Sequence, residues 1–175
     1  MYKFDFQPAD FQEEATNYIN DGKSVVVCAP TGAGKTCIAE AAIQKTLEEN
    51  TRLFYTTPLK ALSNQKFYDF GQKYGIGNVG LLTGDTSINR EAPVVVMTTE
   101  VFRNMLYNTN FGSLKDNLRD VKYVVLDEVH YMNDEQRGTV WEESIIYCPQ
   151  TVQIIALSAT VANSRQLCDW INTVH

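Results

Sequence analysis

The feature that most constrains this chain is an apolar run, Ser24 to Ala29 (SVVVCA), that ends in a glycine-rich turn and leads directly into a helical pattern. Within Thr36 to Asn50, Ala39, Ile43 and Leu47 recur at i, i+4 and i+8, the stripe of an amphipathic helix. A strand, a tight turn and a helix in that order belong to an α/β sheet. The turn reads Ala29-Pro30-Thr31-Gly32-Ala33-Gly34-Lys35-Thr36. Gly32 and Gly34 let the backbone wrap closely enough for its N–H groups to face one centre. The helix start adds its positive dipole end, Lys35 a point charge and Thr36 a hydroxyl. Together these point to phosphate binding, with Lys35 on the β and γ phosphates and Thr36 on Mg2+.

The same alternation continues along the chain. Arg52 to Thr57, Asn78 to Leu82, Pro93 to Thr98, Val121 to Leu126 and Thr151 to Leu157 read as strands. Leu59 to Tyr74, Thr99 to Tyr107, Val140 to Tyr147 and Ser164 to Val174 read as helices, the last with Leu167, Trp170 and Ile171 on one face. Trp141, Ile145 and Cys148 form a helical stripe and are read as packing. Tyr107 to Asp120 is the longest segment expected to be irregular. The strands lack clean polar alternation, which predicts a mostly parallel β-sheet with helices on both faces. The 175 residues suit one domain spanning 1–175. In such sheets ligands bind beyond the carboxyl ends of the strands.

Two further motifs sit at strand ends. Asp127-Glu128-Val129-His130 follows the apolar run VKYVVL directly. A carboxylate at the end of a buried strand is costly unless it has a task. Asp127 fits a ligand for Mg2+, and Glu128 a base that orients an attacking water. Ser158-Ala159-Thr160 ends the last strand, and taken alone its hydroxyls read as turn or capping groups.

Fifteen Lys and Arg against 21 Asp and Glu leave a formal net charge of −6. That excludes a chain gripping nucleic acid by bulk positive charge, but not one contacting phosphates through local donors. Cys28, Cys37, Cys148 and Cys168 form no CxxC pair, so no zinc ribbon is expected, and they read as reduced and mostly buried. His130 and His175 are the only histidines, too few for a His-rich metal site. No apolar run approaches the ~20 residues of a membrane helix, and MYKFDFQPAD lacks a signal pattern. A cytoplasmic chain without a membrane partner, monomeric in isolation, is expected.

APTGAGKT, DEVH and SAT, in that order and at strand ends, resemble the first RecA-like domain of a superfamily 2 helicase of the DExH type. Pro58 to Lys66 (PLKALSNQK), Thr83-Gly84-Asp85 with Ile88-Asn89, and Thr98-Thr99-Glu100 with Arg103-Asn104 are similar to the Ski-like RNA helicases. So are Tyr131 to Asp134 and Arg137 to Glu143, while INREAP and ESIIYCP resemble the cyanobacterial and plastid branch. The resemblance runs from about Phe4 to the end. It implies a RecA-like P-loop fold, ATP and Mg2+ as cofactors, single-stranded nucleic acid with RNA favoured, and a second RecA-like domain as partner.

The resemblance also implies residue roles. Gln12 would read the adenine edge, with Phe4 or Phe6 packing on the ring. Ala29 through Thr36 would hold ATP, with Lys35 and Glu128 catalytic and Thr36 and Asp127 on Mg2+. His130 would couple the nucleotide site to Ser158 and Thr160 by hydrogen bonds. Pro58, Leu59 and Lys60, Gly84 and Asp85, and Thr98, Thr99 and Glu100 would track the nucleic-acid backbone, through contacts that read no sequence. No motif of the chain supplies an arginine finger, a group that contributes roughly 10³–10⁵ in rate. The isolated chain is therefore expected to bind nucleotide and turn it over poorly. Two alternatives stand beside this reading: the motor domain of a DNA-repair helicase, and a nucleotide-dependent binding module without unwinding activity.

Overall fold

The computed structural model describes residues 6–107, 113–133 and 138–175. Helix α1 (Asp10–Asn20) leads into β1 (Val25–Cys28), α2 (Thr36–Glu49), β2 (Arg52–Thr57), α3 (Lys60–Tyr74) and β3 (Val79–Leu82). Then come β4 (Ser87–Ile88), β5 (Val94–Thr98), α4 (Thr99–Leu106), α5 (Leu114–Asn117) and β6 (Val121–Leu126). The chain finishes with α6 (Gly138–Ile146), β7 (Gln153–Ser158) and α7 (Ser164–Val174). The strands form one sheet in the order β1-β7-β6-β2-β5-β3-β4. Every pairing is parallel except the short β3–β4 hairpin.

Both faces of the sheet are covered, as the unbroken apolar strands predict. On one face, Ile19 of α1, Ile38 and Ile43 of α2 and Phe70 of α3 pack on Val27, Leu53, Tyr55, Val125 and Leu157. On the other, Phe102 of α4, Trp141 and Ile145 of α6 and Ile171 of α7 pack on Phe54, Met97, Val124 and Ile154. Neighbouring strand residues serve opposite faces, Leu53 and Tyr55 one and Phe54 the other, because strand side chains alternate. Trp141 and Ile145 are fully buried, in keeping with their reading as packing. Among the described residues, no helix is long and apolar enough to cross a membrane.

Three features depart from the sequence reading or add to it. Helix α1 and strand β4 are additional elements. The Tyr107 to Asp120 stretch contains the single turn α5, and its residues 108–112 lie outside the described residues. The cysteines are not mostly buried: Cys37 and Cys148 are, Cys28 is half-buried and Cys168 is exposed. Cys168 sits beside the inward stripe of α7, which runs through Leu167, Trp170, Ile171 and Val174. Burial pushes the thiol of Cys37 up to about 11 and that of Cys148 up to about 12, so both are uncharged packing groups at neutral pH.

Gly80 in β3 is a close-approach position. A Cβ built there would lie 2.2 Å from the carbonyl oxygen of Asn89 beyond β4. Gly80→Ala should therefore destabilise the chain by about 1–3 kcal/mol, the usual effect of overpacking a tight site. The check is a lowered urea midpoint at unchanged m-value. An unaltered midpoint would mean that the β3–β4 hairpin yields freely.

Candidate nucleotide site and nucleic-acid rim

The sheet sorts the motifs. The carboxyl ends of β1, β7 and β6 are neighbours, and from them run Ala29–Thr36, Ser158–Thr160 and Asp127–His130. The ends of β2, β5 and β3 come next in order, and from them run Pro58–Lys60, Thr98–Glu100 and Gly84–Asp85. The residues expected at phosphate and metal thus gather on one half of the edge, and the segments matched to backbone tracking gather on the other.

The glycine-rich loop is set by its base. Cys28 is in register with Ser158, and the Ala29 N–H extends the ladder by donating to the Ser158 carbonyl at 3.2 Å. Gly32 and Gly34 take φ of +83° and +84°, the left-handed region that other residues adopt only with strain. The Lys35 ammonium donates to the Ala29 and Pro30 carbonyls at 2.6 and 3.0 Å, which holds its charge within the loop. Gln12 is buried on α1, and its Oε1 accepts the Ala9 N–H at 2.8 Å. Its Nε2 donates to the Gly34 carbonyl at 3.1 Å and more weakly to that of Ala33 at 3.4 Å. The structure therefore places Gln12 directly against the loop backbone. Phe6 is exposed. Phe4 lies outside the described residues.

At the end of β6, the Asp127 N–H donates to the Thr56 carbonyl at 3.0 Å, which continues the β2–β6 ladder into the motif. The Asp127 carboxylate is buried. Its Oδ2 accepts the Tyr55 hydroxyl at 2.5 Å and its Oδ1 the Glu128 N–H at 2.9 Å. Glu128 has φ +60°, which costs a non-glycine residue on the order of 1–2 kcal/mol. Such strain persists where the surroundings over-determine it, and it clusters at functional sites. The Glu128 carboxylate lies 3.1 Å from His130 Nε2. His130 Nδ1 accepts the Ala159 N–H at 3.1 Å, which leaves Nε2 as the donor toward Glu128. His130 thus meets the SAT segment at the Ala159 backbone, between Ser158 and Thr160. Ser158 is fully buried and Thr160 is exposed.

Thr36 and Asp127 are hard oxygen donors. Among the described residues, Asp127 has no ion-pair partner, and no three His, Cys, Asp or Glu side chains gather into a metal cage. A buried carboxylate with lone pairs to spare and a hydroxyl fit Mg2+, which takes one or two protein ligands and fills its shell with water and phosphate.

Two side chains at this site escaped the sequence reading, Tyr55 and Lys66. Burial, and the Asp127 carboxylate it faces, hold the Tyr55 phenol well above its ordinary value, so it remains the proton donor. Available signals were a tyrosine in a doubly covered strand, whose hydroxyl needs a partner, and a lysine within the Ser63–Phe67–Phe70 stripe of α3.

The other half of the edge forms one continuous rim. Thr57 and Thr98 are register neighbours on β2 and β5. The Lys60 ammonium pairs with the Asp85 carboxylate, which also accepts the Thr83 hydroxyl at 3.0 Å. Hydrogen bonds from Lys60 and Thr83 hold the Asp85 carboxyl below the usual range. Lys60, Gly84, Asp85 and Glu100 are exposed, and Pro58, Leu59 and Thr98 are half-buried. Thr99 is turned into the fold, so only its backbone is available to a ligand.

This arrangement is that of a RecA-like helicase domain, and the chain belongs to the DEAD/DEAH box helicase family, whose model matches residues 9–167. Its relatives bear out the Ski-like resemblance. The DExH-box ATP-dependent RNA helicase DExH15, chloroplastic, of Arabidopsis thaliana is 56% identical over 98% of this chain. The antiviral helicase SKI2 of Saccharomyces cerevisiae is 50% identical over 95%. The chain spans only 15% and 12% of their respective lengths. Among solved structures, Mycobacterium smegmatis helicase Lhr bound to ssDNA and AMP-PNP matches with a TM-score of 0.68 and 28% identity, covering 89% of this chain and 23% of that one.

Proposed function

We propose that this chain is the ATP-binding motor half of an ATP-dependent RNA helicase, with Mg-ATP on one half of the sheet edge and single-stranded RNA along the other. The observation that carries this reading is the strand order, which separates the β1-β7-β6 ends from the β2-β5-β3 ends. Lys35 and N–H groups of the glycine-rich loop bind the phosphates, and Gln12 the adenine edge. Thr36 and Asp127 would hold Mg2+, which would supply positive charge to offset that developing on the transferred phosphoryl group. Glu128, steadied by His130 Nε2, orients water for attack on the γ-phosphorus and takes its proton as the bond to the ADP oxygen breaks. The His130–Ala159 hydrogen bond carries the position of that pair to the next strand end.

In the intact enzyme a second RecA-like domain closes over the nucleotide and contributes an arginine finger. These 175 residues alone act as a monomer that binds ATP and hydrolyses it slowly. RNA is favoured by the resemblance of PLKALSNQK and DEVH to Ski-like helicases, and by the DExH15 relative, which bears the name of an RNA helicase. Lhr bound to ssDNA supports a second reading, a DNA helicase motor. The test is Mg-ATP binding and turnover by the chain with no nucleic acid, with single-stranded RNA and with single-stranded DNA of matched sequence. We expect measurable nucleotide binding, slow turnover in all three cases, and weaker competition by DNA than by RNA. Robust turnover would overturn the half-motor reading, and stronger competition by DNA would favour the second.

A further inference from the structure

A chain of side-chain contacts through Lys66 and Tyr55 joins the two candidate metal ligands. Lys66 reaches from α3 to α2, where its ammonium donates to Thr36 Oγ1 at 3.2 Å. The ammonium is seated over two rings, 5.6 Å from the centroid of Tyr55 and 5.9 Å from that of Phe70. Those rings meet edge to face at 5.0 Å. Tyr55 is fully buried at the middle of the sheet, and its hydroxyl ends on Asp127 Oδ2. Contacts therefore run from Thr36 through Lys66 and Tyr55 to Asp127.

The two ends act on a cation in opposite senses. Tyr55 fixes the Asp127 carboxylate, since Oδ2 is held by the phenol while Oδ1 is held by the Glu128 N–H. Outer partners of this kind orient a ligand for its metal, and losing one typically weakens metal affinity about 10–100-fold. Lys66 does the reverse. It brings a positive charge onto the same hydroxyl oxygen that a dication would use. Two cations sharing one oxygen in a half-buried site repel, with less screening than water provides. The aromatic seat stabilises the ammonium where it is, through the quadrupoles of both rings.

We propose that Lys66 is a positioning residue that competes with Mg2+ for the Thr36 hydroxyl, opposed by Tyr55 on Asp127, so that the two set how much Mg2+ the nucleotide site requires. The proposal rests on the nucleotide-site reading above. Entry of the metal obliges the ammonium to leave Thr36, and the element it draws on is α3, whose first residue is Lys60 at the nucleic-acid rim.

The test uses the purified chain and a fluorescent non-hydrolysable ATP analogue, with affinity titrated against Mg2+ and measured separately in EDTA. Lys66→Met should lower the half-saturating Mg2+ concentration about tenfold, the effect of removing one unit charge beside a dication. Lys66→Gln should do the same, because it also removes the charge while keeping a donor. Lys66→Arg should stay near the parent. Tyr55→Phe keeps the ring under Lys66 but should raise the half-saturating concentration about tenfold. A thermal melt of each variant reports folding, and a merely structural role would not shift the two positions in opposite directions. An unchanged or raised Mg2+ requirement in folded Lys66→Met or Lys66→Gln overturns the proposal. If the parent binds the analogue neither with nor without Mg2+, the nucleotide-site reading itself fails and takes this proposal with it.

Discussion

Exchanging Glu128 for glutamine in the intact enzyme should lower ATP turnover by about 10²–10⁴-fold, the span a positioned general base contributes. Nucleotide affinity should hold within about twofold, since the exchange removes no partner of the phosphates. Glutamine has nearly the same shape and backbone preferences, so it can keep the left-handed turn at φ +60°. Its amide oxygen still accepts from His130 Nε2, which stands 3.1 Å from the carboxylate now. What is lost is the capacity to take a proton from water. Parallel measurements of steady-state turnover and of analogue binding separate the two effects, and normal turnover would sink the assignment of Glu128 as base.

Lys35→Ala should act on binding instead. Its ammonium donates to the Ala29 and Pro30 carbonyls of its own loop, at 2.6 and 3.0 Å. Hydrogen bonds from a charged donor contribute about 1.5–3 kcal/mol, so loss of the lysine should weaken Mg-ATP binding by about 10–100-fold by calorimetry. The melting behaviour should barely change, because the side chain is half-exposed and partners no core group. Unaltered affinity in a folded variant would remove Lys35 from the phosphate site. The two substitutions therefore divide the site into a binding part on β1 and a chemical part on β6.

Much of this layout was legible because local chemistry and tertiary burial agree. Arg52–Thr57 and Val121–Leu126 emerge with the bounds expected, since each is an apolar run stopped by a residue unsuited to a strand interior, Pro58 in one case and Asp127 in the other. The loop, the DEVH turn and SAT were legible for a related reason. Their chemistry is compressed into a few consecutive residues at strand ends.

Helix α1 was not legible. Its inward residues, Gln12, Ala15, Thr16 and Ile19, have helical spacing, but two are polar and no apolar stripe stands out. What holds that face is tertiary, including the Gln12 bonds to the loop. The strand order could not be read either, because alternation of strands and helices says nothing about which strand lies beside which. For the same reason Tyr55 and Lys66 were missed. Their roles come from neighbours on other elements, Asp127 just past the end of the strand beside Tyr55 and Thr36 on the helix facing Lys66. The contact of His130 with the SAT segment is of the same kind, since its partner is the backbone N–H of Ala159, which no side-chain pattern announces.

The pairing of β1 with β7 bears on how the chain is made. The first strand finds its neighbour in the last, about 130 residues later, as the bond from the Ile154 N–H to Ser24 Oγ records. A ribosome adding roughly 5–20 residues per second needs on the order of ten seconds to deliver that neighbour. Until then Val25, Val26 and Val27 have no ladder, and the phosphate loop has no base to stand on. The segment that carries the glycine-rich loop is thus made well before the strand that completes its ladder, which leaves nascent β1 open to wrong partners during synthesis.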